Sequence, residues 1–177
     1  MCVIPWCSLS KRYGWDLGGR RGVVDIKVKQ VPSYAVASLI LYGPYGPNMF
    51  RAEFDHLIKW AKTNKLQTGK WIMRWLDEPK DKPASKVRSE ACLEIKGKAR
   101  IEGKIKIKKF PKHTVACVVF DPEKISPRLV YSGIYGWLRY SDFKATNSPA
   151  REVYAGNPWT NSHAWANAEV QVPVKRR

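Results

Sequence analysis

An internal repeat constrains the fold of this chain more than any other feature of the sequence. The segment IKVKQVPSYAVASLILYG, residues 26–43, aligns without gaps with IKIKKFPKHTVACVVFDP, residues 105–122, at an offset of 79 positions. Six of the aligned positions are identical, and most others keep their apolar or polar character. Because both copies must fold into the same unit, such a repeat constrains the whole architecture. We therefore predict a tandem duplication.

In each half of the chain, the hydrophobic pattern predicts the order strand, strand, helix, strand, strand. Residues 23–30 alternate between apolar and charged side chains, which predicts a strand with one buried face. Residues 127–140, PRLVYSGIYGWLRY, are helix-like, and their spacing brings Leu129, Tyr135 and Leu138 into contact range of one another. Residues 49–64 predict a helix whose buried stripe consists of Phe50, Phe54, Leu57, Ile58 and Ala61.

These elements predict an α+β fold built from two βαββ-like units. Antiparallel sheets with one helix per repeat would surround a central cleft, with the halves related by a pseudo-twofold axis. Residues 1–21 form an N-terminal extension, and residues 22–177 form a single domain. The first repeat covers about residues 22–98, and the second covers about residues 101–174.

The strongly positive charge of the chain bears on its possible partners. The chain of 177 residues carries 32 Lys and Arg against 15 Asp and Glu, a formal net charge of +17. This charge favours nonspecific contact with nucleic acid, but the lysines are spread over strands and loops, so a solvated lysine-rich surface is the preferred interpretation. If the two lysine-bearing strands of the repeat are neighbours across the pseudo-twofold axis, one basic patch results from Lys27, Lys29, Lys104, Lys106 and Lys108.

Targeting and metal signals are absent from the sequence. No run of about 18 apolar residues is present, and the N-terminus lacks a signal-peptide layout, so we expect a cytoplasmic protein without a membrane span. The histidines are not spaced as ligands of one metal, and we expect no cofactor. The cysteines fit no zinc pattern and are expected to be free thiols: Cys2, Cys7, Cys92 and Cys117.

From Val24 to Val174 the sequence resembles the GyrI-like (gyrase-inhibitor-like) small-molecule-binding domain. This domain also forms the effector-binding part of multidrug-responsive and AraC-type transcription regulators, and its fold is similar to that of SOUL haem-binding proteins. No single motif is specific, but their order and spacing are. The resemblance is carried by VPSYAVA, GPYG, the Phe54-x2-Leu57-x2-Trp60-Ala61 helix, VRSEAC, FPKHTVACVVF, Trp137-Leu138, Glu152-x-Tyr154 and VQVPV.

The resemblance implies an aromatic cleft between the two halves, entered by a glutamate from the penultimate strand. Glu152 matches that glutamate, and Tyr154 matches its companion tyrosine. The alternative for Glu152 is a surface pair with Arg151 or a nearby lysine. The remaining candidate ligand-binding residues have core or turn packing as their alternative role: Trp71, Trp75, Tyr42, Tyr45 and Trp137.

Three functions remain open. A cleft of this kind suits hydrophobic, aromatic or cationic small molecules, because aromatic faces attract cations by about 0.5–2 kcal/mol each. Some members of the family resemble hydrolases of cyclopropane-bearing natural products, in which case Glu152 would be the general base. A third alternative is an inhibitor or regulator that contacts a DNA-processing enzyme. The loop NPWTNSHAWANAE departs from the family pattern and brings in Trp159, His163 and Trp165.

Overall fold

The computed structural model describes residues 11–16, 21–45, 49–77 and 79–177, with side chains described from Asp25 onward apart from residues 78–79. Three helices lie in this part of the chain: α1 (Arg51–Thr63), α2 (Pro127–Leu138) and α3 (Ser162–Ala166). The strands are β1 (Lys11–Asp16), β2 (Arg21–Val31), β3 (Tyr34–Tyr42), β4 (Gln67–Trp75), β5 (Arg88–Lys96), β6 (Lys106–Phe110), β7 (His113–Phe120), β8 (Phe143–Ala145), β9 (Arg151–Tyr154) and β10 (Ala168–Arg176).

The described strands form one antiparallel sheet. Their order is β1-β2-β7-β10-β9-β4-β5-β3-β6, and β8 pairs with β10. Strands β4 and β9 meet at the centre, with β5, β3 and β6 on one side and β10, β7, β2 and β1 on the other. The predicted α+β class with antiparallel strands and a helix in each half is confirmed.

The strand registers repeat at the offset of 79 found in the sequence. Val28 on β2 lies opposite Ala116 on β7, and Ala37 on β3 lies opposite Ile107 on β6. Adding 79 to Val28 and to Ala37 gives Ile107 and Ala116, so one pair maps onto the other. The first strand of each half therefore pairs with the second strand of the other half, an exchange that ties the two halves together.

Two short connections require the sheet to curl. Residues 32–33 join β2 to β3, although these strands lie six places apart in the sheet. Because neighbouring strands are about 4.8 Å apart, a flat sheet would separate β2 from β3 by roughly 29 Å. The three Cα–Cα steps from Val31 to Tyr34 span at most about 11 Å. Residues 111–112 connect β6 to β7, which are also six places apart in the sheet. Both connections are too short for a flat sheet, so the sheet bends until its ends approach each other.

The bend makes one face concave. Phe110, at the end of β6, places its ring within 4.9 Å of the Arg74 guanidinium and 5.3 Å of the Arg151 guanidinium, both on the two central strands. The helices pack against the opposite, convex face. We call these the concave face and the helix face.

The main hydrophobic core lies between the helix face and the helices. Helix α1 buries Phe54 and Leu57 completely, together with Trp60 and Ala61, close to the predicted stripe. Each such large apolar side chain contributes about 1.5–3 kcal/mol of transfer free energy. The core thus fixes α1 across β3, β4 and β5.

The three residues singled out on the second helix do not share one environment. Leu129 is 40% exposed and Tyr135 is 46% exposed, whereas Leu138 is buried beside Val130 and Ile134. This helix carries apolar residues on several sides, so its sequence alone permits more than one buried stripe. Docking against β7 and β10 selects the stripe that starts at Val130.

The lysine-bearing strands of the repeat are not neighbours. β2 pairs with β1 and β7, whereas β6 pairs with β3. The condition for one shared basic patch is therefore not met. Three of these lysines form ion pairs instead: Lys27 with Asp25, Lys29 with Glu169, and Lys108 with the fully buried Glu90.

The segment assigned to the N-terminal extension contributes a strand to the sheet. The β1 backbone pairs with β2 from Lys11 opposite Ile26 to Asp16 opposite Arg21. Residues 1–10 and 17–20 lie outside the described residues, and with them Cys2 and Cys7. In the part of the chain that is described, no helix is long and apolar enough to cross a membrane.

Candidate functional site

Glu152 lies at the centre of the sheet and faces the helices. It sits on β9, opposite Met73 on β4 and Val170 on β10, and only 5% of its surface is exposed. Side chains alternate across a strand, so the preceding residue, Arg151, points to the concave face. The sheet backbone separates the two charges, which rules out a surface pair between them.

Aromatic hydrogen-bond donors surround the Glu152 carboxylate. The Tyr154 hydroxyl donates to Glu152 Oε2 at 2.9 Å, and the Trp75 indole N–H lies near enough to the carboxylate to act on its pKa. Trp75 Nε1 also lies 3.1 Å from the Tyr131 hydroxyl oxygen, to which it donates. No described basic side chain forms an ion pair with Glu152.

Burial without a basic partner shifts the titration of this group. Loss of hydration raises the pKa of Glu152 above its ordinary value, and the Tyr154 and Trp75 donors only partly oppose this. Burial also raises the pKa of Tyr131 well above normal, and the nearby Glu152 charge adds to that effect. The site therefore favours a neutral carboxyl group or a carboxylate paired with an external cation.

An aromatic wall continues from the carboxylate along β4 and α1. The Trp71 ring lies 4.7 Å from the Phe54 ring, and Trp159 packs against both, at 6.2 Å from Trp71 and 5.8 Å from Phe54. Trp165 stacks on Tyr154 with ring centroids 6.0 Å apart and planes 9° from parallel. Flat, apolar surfaces thus border the buried Glu152 carboxylate.

Four of the candidate residues gather around Glu152. Tyr154 bonds to it directly, and Trp71 and Trp75 share its face of the sheet because they flank Met73. Tyr45 packs on Trp75 with ring centroids 4.6 Å apart. The Tyr45 hydroxyl oxygen lies 2.7 Å and 2.8 Å from two backbone carbonyl oxygens, which anchors the ring in place.

Two candidate residues lie elsewhere. Tyr42 is 70% exposed and pairs with Arg88 on the face opposite Glu152, so it is not part of this aromatic group. Trp137 packs against Phe143 at 6.1 Å. It lies six residues beyond Tyr131 on α2, which is about 9 Å along the helix axis.

Tyr131 is the α2 residue that the sequence reasoning missed. It lies next to Val130, the first residue of the buried stripe, and this position beside an apolar stripe is the signal that could have identified it. Trp159 and Trp165 appeared in the sequence only as a departure from the family loop, and their packing against the aromatic wall depends on the fold of residues 157–167.

The described residues do not support a metal site or a nucleophilic cysteine. They contain no group of three or more His, Cys, Asp or Glu side chains able to hold a metal ion. Cys92 and Cys117 are free and buried. Burial raises the pKa of Cys92, and it raises the pKa of Cys117 to about 11, so neither thiol is activated as a nucleophile.

Known proteins resemble this chain in sequence and in fold. A DNA gyrase inhibitor of Escherichia fergusonii is 25% identical over 72 residues, which are 41% of this chain and 46% of that protein. The chain thus spans about half the length of this relative. A DNA gyrase inhibitor of Salmonella arizonae is 23% identical over 160 residues, covering 87% of this chain and 100% of that protein.

Among solved structures, the C-terminal domain of EcmrR superimposes with a TM-score of 0.73 at 19% identity, covering 87% of this chain and 99% of that one. SAV2435 bound to tetraphenylphosphonium superimposes with a TM-score of 0.50 at 12% identity, covering 85% and 94%. At these identities the likeness is one of fold. The pattern that defines the GyrI-like small molecule binding domain matches residues 25–175, nearly the whole described chain, and the chain therefore belongs to that family.

Proposed function

We propose that this protein binds bulky hydrophobic organic cations on the helix face, with the Glu152 carboxylate as their counter-ion. The observation that carries the proposal is a buried carboxylate with aromatic donors around it and no basic partner among the described residues. A buried charge is costly unless it is paired, so a cationic ligand that supplies the missing charge gains that pairing energy on binding.

The aromatic wall supports the same class of ligand. Trp71, Trp75 and Tyr154 lie on the same face as the carboxylate, and ring faces attract cations by about 0.5–2 kcal/mol each. Tetraphenylphosphonium, the ligand of SAV2435, is a cation of this kind. That protein shares the fold with this chain at 12% identity, so its ligand serves here as a probe.

The test compares tetraphenylphosphonium with tetraphenylborate, which has the same shape and the opposite charge. Calorimetric titration should show binding of the phosphonium and at least tenfold weaker binding of the borate. The net charge of +17 would by itself favour the borate, so a preference for the cation has to come from the site. Equal affinities for the two ions would refute the role of Glu152 as counter-ion.

A glutamine at position 152 keeps the shape of the side chain and removes its charge. Glu152→Gln should weaken phosphonium binding by about tenfold or more, which corresponds to about 1.4 kcal/mol. Glu102→Gln, at an exposed position, is the matched control and should bind as the wild type does. Wild-type affinity should also rise with pH as the Glu152 carboxyl loses its proton, and this rise should be absent in Glu152→Gln.

Hydrolysis of cyclopropane-bearing alkylating compounds is the second candidate function. The raised pKa of Glu152 favours it, because a general base works best when its pKa lies near the working pH. Product formation by the wild type and its loss in Glu152→Gln would support this activity. Binding of such a compound without turnover would leave the ligand-binding function alone.

A further inference from the structure

The concave face holds a second buried charge, Arg151, which is independent of the Glu152 site. Arg151 is 4% exposed, and its cross-strand neighbours are Arg74 on β4 and Gln171 on β10. Its guanidinium lies over the Phe110 ring, 5.3 Å from the centroid. The ring covers the group, but it carries no formal charge that could neutralise it.

No described carboxylate forms an ion pair with Arg151. The acid of this row is Glu90, and Arg74 and Lys108 already bind its carboxylate. The Glu90 backbone is two strands away from Arg151, which is roughly 10 Å. Arg151 is therefore a third cation beside Arg74 and Lys108 and has no share in their anion. Glu94, the next carboxylate on this face of β5, accepts from the Lys70 backbone N–H at 3.1 Å and forms no ion pair with Arg151.

This imbalance is costly for the folded protein. A guanidinium keeps its proton under all ordinary conditions, so Arg151 cannot escape the cost of burial by becoming neutral. Burial lowers its pKa; the Tyr34 hydroxyl partly opposes this, and the neighbouring Arg74 charge lowers the pKa further. Tyr34 carries no formal charge, so it does not neutralise the guanidinium. A buried charge of this kind is normally retained where an anion pairs with it.

Unsatisfied hydrogen-bonding atoms lie in the same row. Nε of Arg151, Nε of Arg74 and Oε1 of Gln171 are buried and bond to no described residue. Gln171 is 5% exposed, and its amide nitrogen donates to Glu169 at 2.6 Å, which fixes the orientation of the amide. Two donors and one acceptor are thus available to one small ligand.

A cleft of about 450 Å³ borders this row at Gln171. Its lining includes Gln171, the cross-strand partner of Arg151, and Val153, which follows Arg151 on the same face. Lys70 and Lys29 line it as well, and the Lys70 ammonium lies 5.5 Å above the Tyr34 ring. Because Glu169 neutralises Lys29, Lys70 is the added positive charge at the opening.

We propose that the concave face binds a small oxyanion, a phosphate or carboxylate group, paired with Arg151 and reached through this cleft. The oxygens of the ligand accept from the arginine Nε atoms, and a ligand hydroxyl, as in hydrogen phosphate, donates to Gln171. Lys70 attracts the anion to the opening. The site lies on the other side of the sheet from Glu152 and stands whether or not that site binds cations.

The chain has two other acidic residues whose side chains are not described, Asp16 and Glu78. The Asp16 backbone pairs with Arg21 on β2, six residues from Lys27, which lies in the Arg151 row. Six strand residues span about 20 Å, so Asp16 is too distant to pair with Arg151. Glu78→Gln tests the remaining internal source: if Glu78 supplied the counter-charge, this variant would create phosphate binding or strengthen it.

The experiment measures the unfolding temperature of the full chain as sodium phosphate replaces sodium chloride at constant ionic strength. A ligand that binds the folded state raises this temperature with the logarithm of its concentration. We expect such a rise for the wild type, its loss in Arg151→Gln, and its persistence in the matched control Arg176→Gln. Arg176 is exposed at the end of β10, on the helix face.

Lys70→Glu keeps the test decisive if Arg151→Gln does not fold. Lys70 is exposed, so its reversal should leave folding intact while weakening phosphate binding at least tenfold; Arg176→Glu should not weaken it. A wild-type response to phosphate no larger than to chloride overturns the proposal. So does a response that survives in Arg151→Gln, is unchanged in Lys70→Glu, or increases in Glu78→Gln. Acetate in place of phosphate distinguishes a carboxylate site, which responds to both, from one that requires the ligand hydroxyl.

Discussion

Replacing Glu152 by glutamine should flatten the pH dependence of folding stability. Glu152 is 5% exposed, and lost hydration raises its pKa above the ordinary 4.5 even though the Tyr154 and Trp75 donors partly oppose this. The folded protein therefore keeps this proton at pH values where the unfolded chain has released it. The contribution of Glu152 to the free energy of unfolding therefore falls as pH rises above 4.5, and it stops falling once the raised pKa is passed.

The size of the effect follows from a single proton. Where the folded state holds one proton more than the unfolded state, the free energy of unfolding changes by about 1.4 kcal/mol per pH unit. Glutamine cannot titrate, so Glu152→Gln lacks this slope. The stability of the variant relative to the wild type should therefore grow across the window and level off above it.

Urea unfolding followed by tryptophan fluorescence, from about pH 4 to about pH 9, measures this difference. Subtracting the wild-type curve from the variant curve cancels the contributions of the other titrating groups. Glu102→Gln, exposed at the surface, is the matched control and should run parallel to the wild type. Parallel curves for Glu152→Gln as well would show that burial does not destabilise the Glu152 carboxylate.

Two further predictions concern the concave face. Glu90→Gln leaves Arg74 and Lys108 without the anion that they share. It should lower the free energy of unfolding in urea by about 3 kcal/mol, the low end for a buried pair, because Lys108 is partly exposed. A loss below about 1 kcal/mol would contradict this. Cys92 and Cys117 should resist alkylation by iodoacetamide in the native protein and react after unfolding, because both are buried with raised thiol pKa values. Mass spectrometry of tryptic peptides locates the label, and rapid native labelling of either cysteine would argue against this packing.

Much of the fold could be predicted because its signals are local or periodic. The order strand, strand, helix, strand, strand matches the first half, whereas the second half also contains β8 and α3, which the sequence reasoning did not predict. The two strand pairs that join the halves follow the offset of 79. The apolar stripe of the first predicted helix matched α1 because only one side of that segment is apolar. The second helix is apolar on several sides, so its sequence does not show which stripe is buried.

The gathering of residues around Glu152 was only partly predictable. Alternation along β9 placed Glu152 and Tyr154 on one face, and alternation along β4 placed Trp71 and Trp75 together. Nothing local indicates that Tyr131 meets Trp75, or that Tyr42 points away from the aromatic wall. Those positions depend on how α2 docks and on which strands pair.

The sequence by itself determined that Arg151 and Glu152 point in opposite directions, because successive side chains of any strand leave opposite faces. Only the tertiary structure decided that both faces are buried and that neither charge forms an ion pair with a described residue. The physical reason is nonlocal: the first strands of the two halves are exchanged, and the two-residue connections curl the sheet. That curl encloses Arg151 on the concave face, while the helices cover Glu152 on the other.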